Sequence, residues 1–268
     1  MKKRHILSYV FLIIMAVILM LPIVITCIDS FATSWTKILP NGWTLDYYRQ
    51  TLATETFWPS VARGLIISII PVIISGLFVI LALYSAIIYF PWIDKVMQTI
   101  CMLPHTLKGV LLAIAVLSLY VGKGPVLSNR IVMLTLVYCV SILPYVYQGI
   151  RNNLNAINVT NLIEAAEILG ASKFTAFFKV VVPNMVSGLL ISALLSMSVL
   201  FSDFAIVKIL AGSKYMTAQQ LLYNSRHLPQ QLISVIVLIL FAIVLVISII
   251  SFALENKSKK ARIEVKED

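Results

Sequence analysis

The chain has 268 residues, 60% of them apolar and 12% charged, with a mean hydropathy of +0.97 and a net charge of +10. A soluble globular chain carries about 45–50% apolar and about 25% charged residues, so a water-soluble enzyme is excluded. The abundance of aliphatic side chains excludes a disordered chain as well. The composition predicts a polytopic, all-α integral membrane protein.

A helix needs about 20 mostly apolar residues to cross a hydrocarbon core of about 30 Å. Six runs reach that length, at 6–28, 64–90, 99–121, 131–150, 184–202 and 232–254, and they take up half the chain. The whole of 1–268 therefore reads as a single transmembrane domain. The first run follows Lys2, Lys3 and Arg4, a flank that secretory signals share. It is long for the apolar part of a signal, no small-x-small site follows it, and Thr26 suits poorly the position before Cys27 in a lipoprotein-type site. It is read as a retained anchor. With the N-terminus in the cytoplasm, the inner segments hold 12 Lys and Arg in 60 residues and the outer segments 8 in 73. The positive-inside rule then predicts that both termini are cytoplasmic, with the strongest contribution from Lys257, Lys259, Lys260, Arg262 and Lys266. The net charge reads as topology signal and attraction to anionic lipid, and nucleic-acid binding is not expected.

In chain order, the outer segment 29–63 contains Pro40-Asn41-Gly42, a turn signal, followed by Trp43, Tyr47 and Tyr48 as aromatics for the membrane interface. Pro22, Pro71, Pro104 and Pro144 fall within predicted spans, where prolines are commoner than in soluble helices. Lys108 lies inside the third span, from which its long stem can reach the inner surface. Tyr145 and Tyr147, near the inner end of the fourth span, read as belt residues. Cys27, Cys101 and Cys139 all fall in spans, and His5, His105 and His227 form no ligand spacing, so neither a disulfide framework nor a metal site is expected. The outer segment 203–231 carries a turn signal at Ala211-Gly212-Ser213. Asp203 at its start has two readings. It either faces the substrate path, where an acidic residue at membrane depth is a functional candidate, or caps the segment that follows it.

The inner segment 151–183 is the informative one. Asn161 with Glu164 three residues on has the spacing of a capping box. Ala165, Ala166, Ile168 and Leu169 continue a helix, and Gly170 supplies the left-handed residue that ends it. Ser172 caps a second short helix bearing Phe174, Phe177 and Phe178, and Pro183 restarts the backbone before the fifth span. The helix-Gly-helix outline is shared with DNA-binding helix-turn-helix units, but a recognition helix needs polar and basic side chains to reach base edges. Three Phe do not supply them.

The pattern Glu164-Ala165-Ala166, three residues, Gly170, nine residues, then Val180-x-Val182-Pro183 resembles the EAA loop of binding-protein-dependent ABC transporter permeases. Val180 and Val182 stand where that family usually has Ile and Leu. Six spans, with this loop between the fourth and fifth, fit the family over nearly the whole chain. The resemblance implies a type I ABC importer permease fold in the bacterial cytoplasmic membrane, and no catalytic site in this chain. It further implies a cytoplasmic ATPase dimer that binds ATP and Mg, a second permease subunit that is the same or a related chain, and an extracytoplasmic solute-binding protein. Carried over residue by residue, Glu164, Ala165, Ala166, Gly170 and Pro183 become the ATPase-coupling elements. No G-x-x-x-x-G-K-[S/T] loop occurs in the chain, which agrees with an ATPase on another polypeptide.

Shorter stretches, Ser30-Phe31-Ala32, Trp35, the run 39–45, Phe201-Ser202-Asp203-Phe204 and Leu210-Ala211-Gly212, are similar to permeases of the spermidine/putrescine, aminoethylphosphonate and iron(III) group. Charge does not choose among these solutes, since eight basic residues in the outer segments face Asp29, Asp46, Glu55 and Asp203. The alternative is a secondary transporter working without an ATPase. Such a protein is expected to show intramembrane charge pairs or an internal repeat, and neither is evident.

Overall fold

A computed structural model describes residues 2–35, 40–106 and 109–267; Leu39 and Lys108 of the sequence reading lie outside the described residues. Lipid offers the backbone no hydrogen-bond partners, so a spanning segment must satisfy its own peptide groups as helix. The chain follows this rule through α1 (Lys2–Phe31), the short hairpin β1 (Ala32–Ser34) and β2 (Asn41–Trp43), α2 (Asp46–Ala53), α3 (Phe57–Ile88), α4 (Pro91–Thr106) and α5 (Gly109–Tyr120). It continues through α6 (Arg130–Ala156), α7 (Val159–Ile168), α8 (Lys173–Ala176), a π-helical stretch Phe177–Val181, α9 (Val182–Phe201), α10 (Ala205–Leu210), α11 (Ala218–Asn224) and α12 (Gln230–Glu267).

Among the described residues, four stretches are long and apolar enough to cross a membrane unbroken: Tyr9–Phe31, Phe57–Ile88, Arg130–Ala156 and Gln230–Asn256. The third and fifth predicted spans are bent pairs instead. Pro91–Pro104 meets Gly109–Tyr120 at 91°, and Lys173–Val186 meets Gly188–Phe201 at 60°. The predicted inner loop 91–98 is thus the first half of α4, and 99–121 is divided between two helices. Gly109, where α5 begins, faces Ile206 of α10 so closely that a Cβ there would stand 2.7 Å from Ile206 Cδ1.

The chain divides into two compact units, residues 1–60 with 221–243 and residues 61–220 with 244–268. In the first unit, the end of α1 is pinned to the start of α12. Asp29, 1% exposed, accepts hydrogen bonds from Ser234 Oγ at 2.6 Å and Gln231 Nε2 at 3.4 Å. Ser30 and Tyr48 share a hydroxyl contact of 2.8 Å beside them. The segment Pro40-Asn41-Gly42 is not the expected turn. Asn41–Trp43 forms β2, with Ala32 opposite Trp43 and Ser34 opposite Asn41. Pairing with a nearby partner strand satisfies the backbone of this polar stretch. Gly42 is required by the pairing, since its φ is +67° and a Cβ would stand 2.9 Å from Thr33 Oγ1.

The second unit is organised on α6. Leu134, Val137, Tyr138, Ile142 and Ile150 are fully buried along it, and α9, α4, α5 and α10 pack around it. Lipid is as apolar as Leu, so helices associate in a membrane through close packing and interhelical polar contacts. The α3–α6 contact shows such polar contacts: Ser75 Oγ donates to the Cys139 carbonyl at 3.1 Å, and Cys139 Sγ donates to the Pro71 carbonyl at 3.8 Å.

Candidate functional site

Between α6 and α9 the chain leaves the spans and folds on itself. α7 starts three residues before the expected point. Asn158, left-handed at φ 46°, is the N-cap, and its side chain makes no cap bond. Asn161 is the third residue of the helix, so the capping box with Glu164 is not formed. The apolar face decides the start: Val159, Ile163 and Ala166, at i, i+4 and i+7, are buried together, and packing of such a face outweighs one cap.

The end of α7 is as expected. Gly170 has φ +84°, its N–H donates to the Glu167 carbonyl at 2.9 Å, and the Ala171 N–H donates to the Ala166 carbonyl at 3.0 Å. These two bonds are a Schellman closure. Ser172 then caps α8, its hydroxyl accepting from the Thr175 N–H at 3.3 Å.

Pro183 shapes the return to the membrane. It lacks an N–H for the Lys179 carbonyl four residues back, and its ring would press on that carbonyl. The residues just before it wind as a π-helix, Phe177–Val181, the usual local accommodation. Asn184 Nδ2 donates to the Val180 carbonyl at 2.8 Å.

Of the candidate coupling residues, Glu164, Ala165, Ala166 and Gly170 share α7 and its closing turn, whereas Pro183 lies beyond the π-stretch. Glu164, Ala165 and Gly170 are exposed and Ala166 faces inward. Among the described residues, Glu164 makes no ion pair within the chain. The sequence reading left two features unassigned. Ile168 is 86% exposed and Leu169 88%, an apolar tip beside the turn. The signal for it is the register and the helix end: Ile168 is off the Val159, Ile163, Ala166 stripe, and Leu169 follows the last residue of α7. The second is an aromatic cluster in which Tyr84 of α3 meets Phe174, Phe177 and Phe178 with ring centroids 5.8, 5.2 and 5.6 Å away. This cluster ties the segment to the second span.

Two polar contacts flank α6. Near the end leading into α7, Asp94 of α4 pairs with Arg151 and accepts from the Tyr147 hydroxyl at 3.1 Å. Tyr147 is therefore a buried partner, 3% exposed, and not a belt residue, whereas Tyr145 is exposed. Toward the other end, Asp203 Oδ2 accepts from the Tyr138 hydroxyl at 3.0 Å and from the Ile206 N–H at 3.1 Å. Its carboxylate holds the first turn of α10 against α6. A cavity of about 360 Å³ opens between α3, α6 and α9, lined by aliphatic residues including Val72, Ile80, Val146 and Leu189. A strongly hydrated solute would find almost no polar partner there.

Bent spans pack around α6, and a short helix closed by a left-handed glycine joins the fourth and fifth. Residues 78–260 match the family model described as binding-protein-dependent transport system inner membrane component, and the chain belongs to that family. It is a membrane permease component of an ABC import system, a reading the family match supports over the secondary-transporter alternative. Permeases of this class work with an ATPase and a solute-binding protein.

The chain is 23% identical over 223 residues to the spermidine/putrescine transport system permease protein PotC homolog of Mycoplasma pneumoniae, covering 79% of this chain and 77% of that one. It is 24% identical over 217 residues to the spermidine/putrescine transport system permease protein PotC of Haemophilus influenzae, covering 80% and 82%. A glutathione transport system permease protein, GsiD of Pectobacterium atrosepticum, is 27% identical over 132 residues, 49% and 40% of the two chains. In fold the chain resembles a subunit in the crystal structure of a bacterial ABC transporter that imports the acidic polysaccharide alginate, with a TM-score of 0.67, 15% identity and 96% of both chains covered.

Proposed function

We propose that α7 and its closing turn dock on a cytoplasmic ATPase pair and carry its closure to the spans of a polyamine importer. The observation that supports this most directly is the exposed apolar tip Ile168-Leu169, set on a helix whose opposite face is buried. Two adjacent exposed apolar side chains beside a fixed turn offer a knob that a partner pocket can bury. Glu164 offers a charge across the contact, Ala165 permits close approach, and Ala166 and Gly170 fix the closing turn. Pro183, through the π-stretch, sets the path by which the segment re-enters the membrane. In this reading ATP and Mg are bound by the ATPase, both termini are cytoplasmic, and a second permease subunit, a copy or a related chain, completes the path.

Asp203 in this reading anchors α10, because its Oδ2 accepts from the Tyr138 hydroxyl and from the Ile206 N–H. The polyamine assignment is supported by the two spermidine/putrescine permeases matched over about four-fifths of the chain. Vesicles containing the permease pair, the ATPase and the cognate binding protein test it with labelled spermidine, aminoethylphosphonate and iron(III). ATP-dependent uptake of spermidine alone is expected, and uptake of either other solute without spermidine overturns the assignment.

A further inference from the structure

The crossing of α6 and α9 is built from two interlocked pairs. On α6, Asn153 Nδ2 donates to the carbonyl of Gly149, four residues back, at 2.7 Å. On α9, Ser192 Oγ donates to the carbonyl of Gly188, again four residues back, at 2.9 Å. Each polar side chain, folded onto its own helix, also occupies the space left by the glycine of the other. A Cβ on Gly149 would overlap the Ser192 side chain, and a Cβ on Gly188 would overlap the Asn153 amide. The register is antiparallel, 149 against 192 and 153 against 188, and the two halves mirror each other. Small residues let membrane helices approach this closely.

The clasp lies at the bend. Lys173–Val186, the arm that includes α8 and the π-stretch, meets Gly188–Phe201 at 60°, and Gly188 opens the second arm with the Asn153 amide seated against it. We propose that Gly149, Asn153, Gly188 and Ser192 are positioning residues that fix the spanning arm of α9 to α6, so that displacement of the α7–α8 segment carries the two helices as one body instead of letting one slip along the other. The proposal rests on the coupling role given to α7 above. Without the clasp, α9 shifts along α6 and ATP hydrolysis is spent without moving the path. The two glycines are therefore needed for transfer of motion, beyond their part in packing.

The test uses the full permease–ATPase assembly in vesicles with a loaded binding protein. It compares Gly188→Ala with Gly188→Ala/Asn153→Ala, and Gly149→Ala with Gly149→Ala/Ser192→Gly. Each single variant forces a Cβ into an occupied space, and each double variant vacates that space. The single variants are expected to co-purify with the ATPase and to support hydrolysis, while solute imported per ATP hydrolysed falls at least tenfold. The double variants are expected to return that ratio to within threefold of the parent. A purely structural role would lower the amount of inserted protein and leave the ratio of the remainder unchanged, and that result overturns the proposal. Singles that transport like the parent, or doubles that insert and bind ATPase yet stay uncoupled, overturn it as well. If Gly188→Ala does not accumulate in the membrane, the 149/192 pair gives the decisive reading. Failure of the coupling role itself is distinguishable, because Leu169→Asp would then leave ATPase binding intact whatever the clasp variants do.

Discussion

The Tyr147 hydroxyl donates to the Asp94 carboxylate at 3.1 Å, on the side of α6 that also presents Arg151 to the same carboxylate. α4 is thereby held against the end of α6 from which α7 departs. The ion pair is about two-thirds to four-fifths shielded from solvent. Removing one member leaves the other charge without its partner, whereas removing both is tolerated better.

Arg151→Met is accordingly expected to lower stability by about 1–3 kcal/mol. Arg151→Met/Asp94→Asn is expected to recover at least half of that loss. Thermal unfolding of the purified permease in detergent reads both values, and a double variant less stable than the single would show that the pair does not hold the two helices.

The tip of α7 gives a prediction of opposite character. Ile168 and Leu169 are almost fully exposed, so Leu169→Asp is expected to change stability by no more than about 0.5 kcal/mol. Loss of a buried apolar anchor in a complex costs about 2 kcal/mol or more, which is about a 30-fold weaker association. Titration of detergent-solubilised permease with its ATPase measures this. Equal affinity in the parent and the variant would remove the tip from the contact.

Asp203 separates two roles by substitution. Asp203→Ala removes the acceptor of the Tyr138 hydroxyl and of the Ile206 N–H, at an expected cost of about 1–3 kcal/mol. Asp203→Asn keeps an acceptor oxygen and is expected to transport with a KM within threefold of the parent. A KM raised more than tenfold at unchanged stability would identify the carboxylate as a solute ligand.

Much of this was legible in the sequence, and what was not has physical causes. The six apolar runs, the left-handed Gly170 and the Ser172 cap depend on length and local backbone preference, which a sequence displays. Asn161 looked like a cap because side-chain chemistry was weighed without the burial of Val159, which carries the helix three residues further back. In the third and fifth spans the second arm begins at a glycine packed on a residue distant in the chain, Gly109 on Ile206 and Gly188 on Asn153, contacts that a sequence does not display. Tyr147 resembled a belt residue because its partner, Asp94, is 53 positions away. The exposed tip was present as a break in the apolar register, visible only once the buried face of α7 was fixed.

Gly170 carries the central claim. At φ +84° any L-residue other than Gly is disfavoured, by about 1–2 kcal/mol, with Asn and Asp the least affected, so Gly170→Asp alters the turn without unfolding the spans. The decisive measurement is made in vesicles containing the permease pair, ATPase and loaded binding protein, following uptake and ATP hydrolysis together. The account predicts that Gly170→Asp inserts in normal amount yet loses uptake and the stimulation of hydrolysis by loaded binding protein. Unchanged uptake and unchanged stimulation in that variant would contradict the assignment of this segment to coupling.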